Sequence, residues 1–186
     1  MSVDIDLENA RKEVQRKVGR NLMLYQQIEH MLKFLVENAK LSGSSIDEFS
    51  NYRETRKHSV KTKSMGLVVD PFLETMFPSS EGASSSVEDE KSHVFEFSFS
   101  IEESDTLNKN SKRLDLSGII SDRNDLVHHF TQIFKSPDTV EGWLEIDSYL
   151  ESKRDKLMPE YKLLQNLIKN LQEDRKELAE RLQDEV

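Results

Sequence analysis

The sequence predicts a mainly α-helical fold with one short β element and a long C-terminal helix. Apolar residues recur at every third or fourth position through most of the chain, which is typical of amphipathic helices. Residues 93–101 instead alternate apolar and polar side chains as a strand does. The chain has 186 residues, of which 35% are hydrophobic and 33% charged. This composition favours one helical domain, residues 1–186, with charged outer faces.

The composition also excludes several classes of protein. There are no cysteines, which excludes disulfides and thiol catalysis and favours the cytoplasm. No stretch approaches the roughly 20 apolar residues that span a membrane, and the first residues lack a signal-peptide core, so no membrane association is expected. The net charge of −9 repels nucleic acid, so any contact with it needs a local basic patch.

The first helix is predicted from Val14 to Ala39. Its apolar stripe, which only Asn21 interrupts, consists of Val14, Val18, Tyr25, Ile28, Leu32, Leu35 and Ala39. The segment Leu41–Ser45 is expected to end this helix, with Gly43 as a left-handed cap.

A polar and basic region, Ile46–Ser64, comes next. Its basic side chains are Arg53, Arg56, Lys57, His58, Lys61 and Lys63. Residues 64–77 predict a shorter helix that Pro71 bends or breaks. The serine-rich, acidic segment Pro78–Lys91 is expected to be a mobile loop.

The alternating segment His93–Ile101 predicts a half-buried strand, which needs a partner for its backbone groups. Three partners are open: Leu114–Leu116, Leu67–Val69, or a second copy of the chain. Residues 78–111 therefore form an inserted loop and strand.

Two further helical segments follow. One covers Leu116–Phe134. The other carries one apolar seam from Trp143 to Leu182, and Pro159 makes it either two helices or one kinked helix. Residues 172–186 are polar outside the seam and predict a helical extension, either a coiled-coil arm or a linker.

The best candidate site is Arg123–His128. The apolar spacing of its helix calls for an apolar residue at position 123, where the sequence has arginine. Asn124 and His128 are four residues apart and share a helix face. A charge on a packing stripe is costly unless it is paired or lines a cleft. One interpretation is therefore a structural pair of Arg123 with Asp122 or Asp125, and the other is a functional site.

The segment RNDLVH, Arg123–His128, resembles the Arg-x4-His signature of the HEPN superfamily of small helical domains. The order of helices from Val14 to about Leu171 is similar as well, and implies an antiparallel helical bundle. Arg53 and His58 have the same spacing, but they lie in a polar, lysine-rich stretch where nothing orients them. We therefore prefer Arg123 and His128, which lie in a strongly apolar helix, as the candidate site.

The resemblance implies a metal-independent endoribonuclease that acts as a homodimer, as in toxin–antitoxin and antiphage systems. His128 would be the acid–base group, Arg123 would hold the phosphate, and Asn124 would orient His128 or bind the phosphate. His129 is an alternative to His128. No cofactor or metal is expected. Inactive members of the superfamily serve binding, so a non-catalytic assembly module is the alternative.

The partners expected from this resemblance are an RNA substrate, a second copy of the chain, and a protein such as an antitoxin or a downstream domain. A group of basic residues is either a surface that guides RNA toward the site or simply a solvated charged face: Arg53, Arg56, Lys57, Lys61 and Lys63.

Overall fold

A computed structural model describes residues 2–78, 95–105, 107–135 and 137–184. The helices are α1 (Ser2–Asn38), α2 (Ile46–Lys61), α3 (Met65–Met76), α4 (Lys109–Asn124), α5 (Phe130–Ile133) and α6 (Val140–Asp184). The strands are β1 (Lys40–Gly43) and β2 (Phe95–Ser98), and a π-helical turn, Asp125–His129, joins α4 to α5. The predicted mainly helical class, with a short β element and a long last helix, is confirmed.

The chain divides into two compact units. The first unit contains Met1–Ile28 and Ser117–Leu163, and the second contains Glu29–Leu116 and Leu164–Val186. The helices α1, α4 and α6 each contribute residues to both units.

The first unit is built around the apolar faces of α1 and α6. Its buried apolar residues are Val14, Tyr25, Ile28, Ile119, Leu126, Trp143, Ile146, Leu150 and Leu157. Asn21, the one interruption of the predicted stripe, is completely buried. Its Nδ2 donates to the backbone carbonyl of Leu150 at 2.9 Å. The polar residue therefore links α1 to α6 instead of breaking the packing.

In the second unit, hydrogen bonds join the last turns of α1 to α2, α3 and α6. Its most deeply buried residues include Leu32, Leu35, Ala39, Val60, Val68, Phe72, Leu73, Met76, Leu116, Leu164 and Leu171. The helix predicted at 64–77 is present as α3, and Pro71 lies inside it. The apolar pattern of this helix is reflected in its buried residues, which confirms the prediction.

The partner of the strand is a segment that the sequence did not suggest. β2 pairs antiparallel with β1, with Leu41 opposite Phe97. β2 therefore pairs with neither Leu114–Leu116 nor Leu67–Val69, the two predicted partners within the chain. The segment Leu41–Ser45 is predicted to end the first helix, but Lys40–Gly43 forms a strand instead. Gly43 is not a left-handed cap. It lies beside Glu48, where an added Cβ would meet the Glu48 Cβ at 2.9 Å.

The remaining expectations have mixed outcomes. Residues 46–61, for which only charge was predicted, form α2. Pro159 lies within one continuous helix, α6, so the two-helix alternative is wrong. The predicted loop Pro78–Lys91 lies, apart from Pro78, outside the described residues. Among the helices of the described residues, none has the length and apolarity needed to cross a membrane.

Candidate functional site

The RNDLVH segment lies where α4 passes into the π turn. Arg123 and Asn124 are half-buried at the end of α4, and His128 and His129 are exposed in the turn. In an α-helix, side chains five residues apart point about 140° away from each other. A π turn closes i→i+5 hydrogen bonds and holds more residues per turn, so it reduces this offset. The turn therefore brings His128 closer to the face of Arg123 than a regular helix would.

Arg123 is held by its neighbour and not by a carboxylate. Its Nη1 donates to Asn124 Oδ1 at 3.1 Å. Asp122 pairs with Lys153 instead, at 2.5 Å. Within the described part of the chain, no carboxylate lies within salt-bridge distance of Arg123. The expected structural pair of Arg123 with Asp122 or Asp125 is thus not formed.

The Asp122–Lys153 pair shapes the electrostatics beside Arg123. Burial lowers the pKa of Lys153, but the hydrogen bond and charge of Asp122, together with Tyr149, outweigh burial and the net shift is upward. Lys153 also lies 5.1 Å from the centre of the Tyr149 ring. Burial, and then the charge of Asp122, raise the pKa of Tyr25. Asp122 is therefore neutralised by Lys153, which leaves the guanidinium of Arg123 available to an anion.

This arrangement assigns a more definite part to Asn124. Because its Oδ1 accepts from Arg123, the amide orients the guanidinium and not His128. A guanidinium has five N–H donors in a planar fork, so most of them remain available to a phosphate. His128 and His129 lie with their ring centres 6.3 Å apart, and both imidazoles are exposed at the surface in the same turn.

A surface pocket of about 200 Å³ follows the π turn in the first unit. It is lined by Phe130, Thr131, Phe134, Pro137, Trp143 and Ile146. The Phe134 ring contacts the Tyr149 ring edge-on at 4.8 Å between centres. The sequence assigned Phe134 and Trp143 only to apolar stripes. No pattern in the sequence indicated that they would enclose a pocket beside the histidines.

The predicted RNA-guiding residues lie in the second unit and differ in their exposure and hydrogen bonds. Arg53, Lys57 and Lys61 are exposed on α2, and Lys63 is half-exposed beyond it. Arg56 instead donates from Nε to the Val36 carbonyl at 2.7 Å and from Nη2 to Thr75 Oγ1 at 2.9 Å. Arg56 therefore ties α2 to α1 and α3, and it is a poor candidate for substrate binding.

A second pocket, which sequence reasoning missed, lies between α1 and α2. Its volume is about 290 Å³, and its lining residues are His30, Lys33, Phe34, Glu37, Lys57 and Lys61. The four α1 residues lie off the main apolar stripe. Only the pairing of α1 with α2, which the sequence did not reveal, places them beside the basic residues.

No group of three or more histidine, aspartate or glutamate side chains in the described ranges is placed to hold a metal ion. Comparisons with protein-family models, with curated proteins and with solved structures found no match to this chain. The HEPN interpretation therefore depends on the RNDLVH segment and on the order of the helices.

Proposed function

We propose that the chain is a HEPN-like, metal-independent endoribonuclease that acts as a homodimer. The observation that carries the proposal is the set of contacts that Arg123 makes. It has no carboxylate partner among the described residues and is oriented by Asn124. It also lies one π turn from an exposed histidine. A guanidinium held by an amide beside an accessible imidazole suits binding and cleavage of a phosphodiester.

In the proposed reaction the ribose 2′-oxygen attacks the adjacent phosphorus, and the bond from phosphorus to the 5′-oxygen breaks. The products are a 2′,3′-cyclic phosphate and a 5′-hydroxyl. An imidazole exchanges protons near neutral pH, so His128 removes the 2′-hydroxyl proton or protonates the leaving oxygen. Arg123 donates to the phosphate oxygens as charge builds up on them.

The homodimer belongs to the same proposal. Val127, inside the RNDLVH segment, is 43% exposed, and Ile133 in α5 is 49% exposed. Apolar side chains that flank a site at the surface are suited to burial against a second copy. Each copy would then contribute an Arg123 and a His128 to one cleft. A protein partner such as an antitoxin would restrain the activity, as befits a toxin or an antiphage effector.

The test is cleavage of a fluorescently labelled RNA in EDTA by the full chain and three variants. We expect His128→Ala and Arg123→Ala each to lower the cleavage rate by about 100-fold or more, the typical size of an acid–base contribution. The control is His58→Ala. Arg53 and His58 have the same Arg-x4-His spacing as Arg123 and His128, but they lie in a polar, lysine-rich stretch instead of an apolar helix. Equal cleavage by all four proteins, or none by the unmodified chain, would contradict the proposal.

One observation favours a second candidate, a catalytically inactive HEPN-like dimer that serves as a binding or assembly module. No described residue makes a hydrogen bond to His128, so its ring has only the edge-on contact with His129 among the described residues. The half-buried carboxylate Asp125 also lies in the same turn and repels phosphate. In that case the unmodified chain is inactive, and Arg123→Ala lowers the melting temperature or weakens the dimer.

A further inference from the structure

The pocket between α1 and α2 is basic, although the chain as a whole is acidic. Three lysines and a single glutamate line it: Lys33, Lys57, Lys61 and Glu37. The net charge of the protein is −9. A local excess of positive charge on such a molecule attracts anions to this place in particular.

The lysines differ in how firmly they are held. Lys33 is 14% exposed and pairs with Glu29 at 2.8 Å. Its Nζ also donates to the Lys61 carbonyl at 3.4 Å, so Lys33 is held on both sides within the pocket lining. Lys57 pairs only with its exposed neighbour Glu54, at 3.1 Å. Lys61 has no carboxylate within salt-bridge distance among the described residues. Lys57 and Lys61 are therefore free to exchange water or a surface pair for a ligand.

The positive charge continues along α2 beyond the pocket. Arg53, Lys57 and Lys61 are spaced four residues apart, so they share one helix face over about 12 Å. At the Arg53 end, Arg175 of α6 donates from Nη1 to Asn38 Oδ1 at 3.2 Å. Burial, and then the charge of Arg53, lower the pKa of Arg175. The Arg53 guanidinium therefore lies near enough to Arg175 for the two positive charges to repel each other.

Phe34 supplies the part of the pocket that is not charged. It is half-buried on α1 and lines the pocket beside Lys33. A row of cations next to an aromatic ring matches a nucleotide chain, whose phosphates take the charges while a base stacks on the ring. An acidic peptide would neutralise the lysines but would leave the ring without a flat partner.

We propose that the α1–α2 pocket binds single-stranded RNA, with backbone phosphates on Lys57, Lys61 and Arg53 and one base against Phe34. The choice of RNA rests on the proposed ribonuclease function, whereas the phosphate and base contacts follow from the pocket itself. His30 at the rim is placed to donate to a phosphate or ribose oxygen.

The test measures fluorescence anisotropy of a 5′-fluorescein-labelled uridine decamer in EDTA over a range of NaCl concentrations. It uses the full chain carrying His128→Ala, so that cleavage does not consume the probe. The pocket variants are Lys57→Ala/Lys61→Ala and Phe34→Leu. The control Lys12→Ala/Lys176→Ala removes the same charge from exposed lysines that pair with a glutamate four residues away.

Loss of two phosphate contacts should lower the slope of log K against log salt by about 1.4 for a single strand. Phe34→Leu should weaken binding about fivefold or more without changing the slope, because it removes stacking and not charge. The control should bind like the parent. The proposal is overturned if the pocket variants bind like the control, or if polyglutamate competes as well as unlabelled RNA.

The two proposals fail independently. If the unmodified chain does not cut RNA but binding still depends on the pocket, only the ribonuclease proposal falls. If RNA is cut but the decamer binds equally well to pocket and control variants, only the pocket proposal falls. Circular dichroism of each variant shows whether a loss of binding is merely a loss of fold.

Discussion

Asn21 and Arg123 are both polar residues on apolar stripes, yet their surroundings differ. Asn21 is completely buried, and its amide reaches a backbone carbonyl of α6. Arg123 is half-buried and bonds only to Asn124 among the described residues. The sequence predicted both interruptions, because each breaks a three-and-four spacing. It could not predict their partners, because these depend on which helix lies opposite.

Replacement of Asn21 by alanine should destabilise the protein by about 1–3 kcal/mol. The reason is that the variant loses a buried hydrogen bond to the Leu150 carbonyl and leaves a small cavity. Urea unfolding followed by circular dichroism measures the change. The matched control is Asn170→Ala on the exposed face of α6, where a change within about 0.5 kcal/mol is expected. If the two substitutions change the free energy of unfolding equally, the buried hydrogen bond of Asn21 does not stabilise the protein.

At the level of elements, the apolar helices were predictable and the polar ones were not. The helix α2 has few apolar residues, so no periodic stripe marks it. One signal was nevertheless present, the capping pattern Ser45-x-x-Glu48. The Ser45 hydroxyl accepts from the Glu48 amide at 3.3 Å, and the Glu48 carboxylate accepts from the Ser44 amide at 2.7 Å. Capping residues would therefore have located the start of α2.

The strand β1 and the π turn could not be predicted from the pattern of apolar residues in the sequence. The segment Lys-Leu-Ser-Gly of β1 is too short to show alternation, and its pairing with β2 joins residues distant in the chain. The pairing continues when the Phe99 amide donates to the Ala39 carbonyl at 2.7 Å. In the same way, residues 125–129 look like any amphipathic helix. The geometry that brings His128 toward Arg123 was therefore outside the reach of a periodicity argument.

A charged cluster joins α1 to α6 within the first unit. Lys17 Nζ lies 2.8 Å from Asp147 Oδ2 and 2.9 Å from Glu151 Oε1, and Arg20 donates to the same Glu151 oxygen at 2.9 Å. Hydrogen bonds from Arg20 and Lys17 lower the pKa of Glu151 from 4.5 to about 2. Burial lowers the pKa of Lys17, but its bonds to Asp147 and Glu151 outweigh burial and raise it.

This cluster predicts how stability depends on pH. A carboxylate whose pKa is lowered by folding stabilises the protein above its unfolded pKa, and the contribution is lost as pH falls through the folded pKa. For Glu151 that window runs from 4.5 down to about 2. Glu151→Gln should therefore be less stable than the parent at pH 7, and the difference should vanish toward pH 2.

The effect should stay at or below about 1 kcal/mol, because the Glu151 side chain is 35% exposed and solvent screens the pair. Urea unfolding at several pH values measures it. Glu173→Gln, which changes an exposed pair on the same helix, serves as the control and should lack this pH window. A constant difference between Glu151→Gln and the parent at all pH values would rule out the linkage.

For the whole molecule, composition alone predicted an acidic protein that repels nucleic acid. The fold qualifies this expectation, because α1 and α2 gather cations in one pocket and the Asp122–Lys153 pair removes a negative charge beside Arg123. Net charge is a sum over the surface, whereas binding depends on where the charges lie. The choice between an enzyme and a binding module therefore depends on local geometry and on whether two copies associate.

The homodimer provides the last prediction. If the surface around the RNDLVH segment is the interface, Val127→Glu places a charge in an apolar contact and should dissociate the dimer. Light scattering should show a mass that falls from twice 21.6 kDa toward 21.6 kDa, and RNA cleavage should fall with it. Leu67→Glu makes the same change at an apolar residue of α3 that is 64% exposed, and should leave mass and cleavage unchanged. A dimer that survives Val127→Glu would place the interface elsewhere, whereas a monomeric parent chain that still cuts RNA would show that one copy forms the complete site.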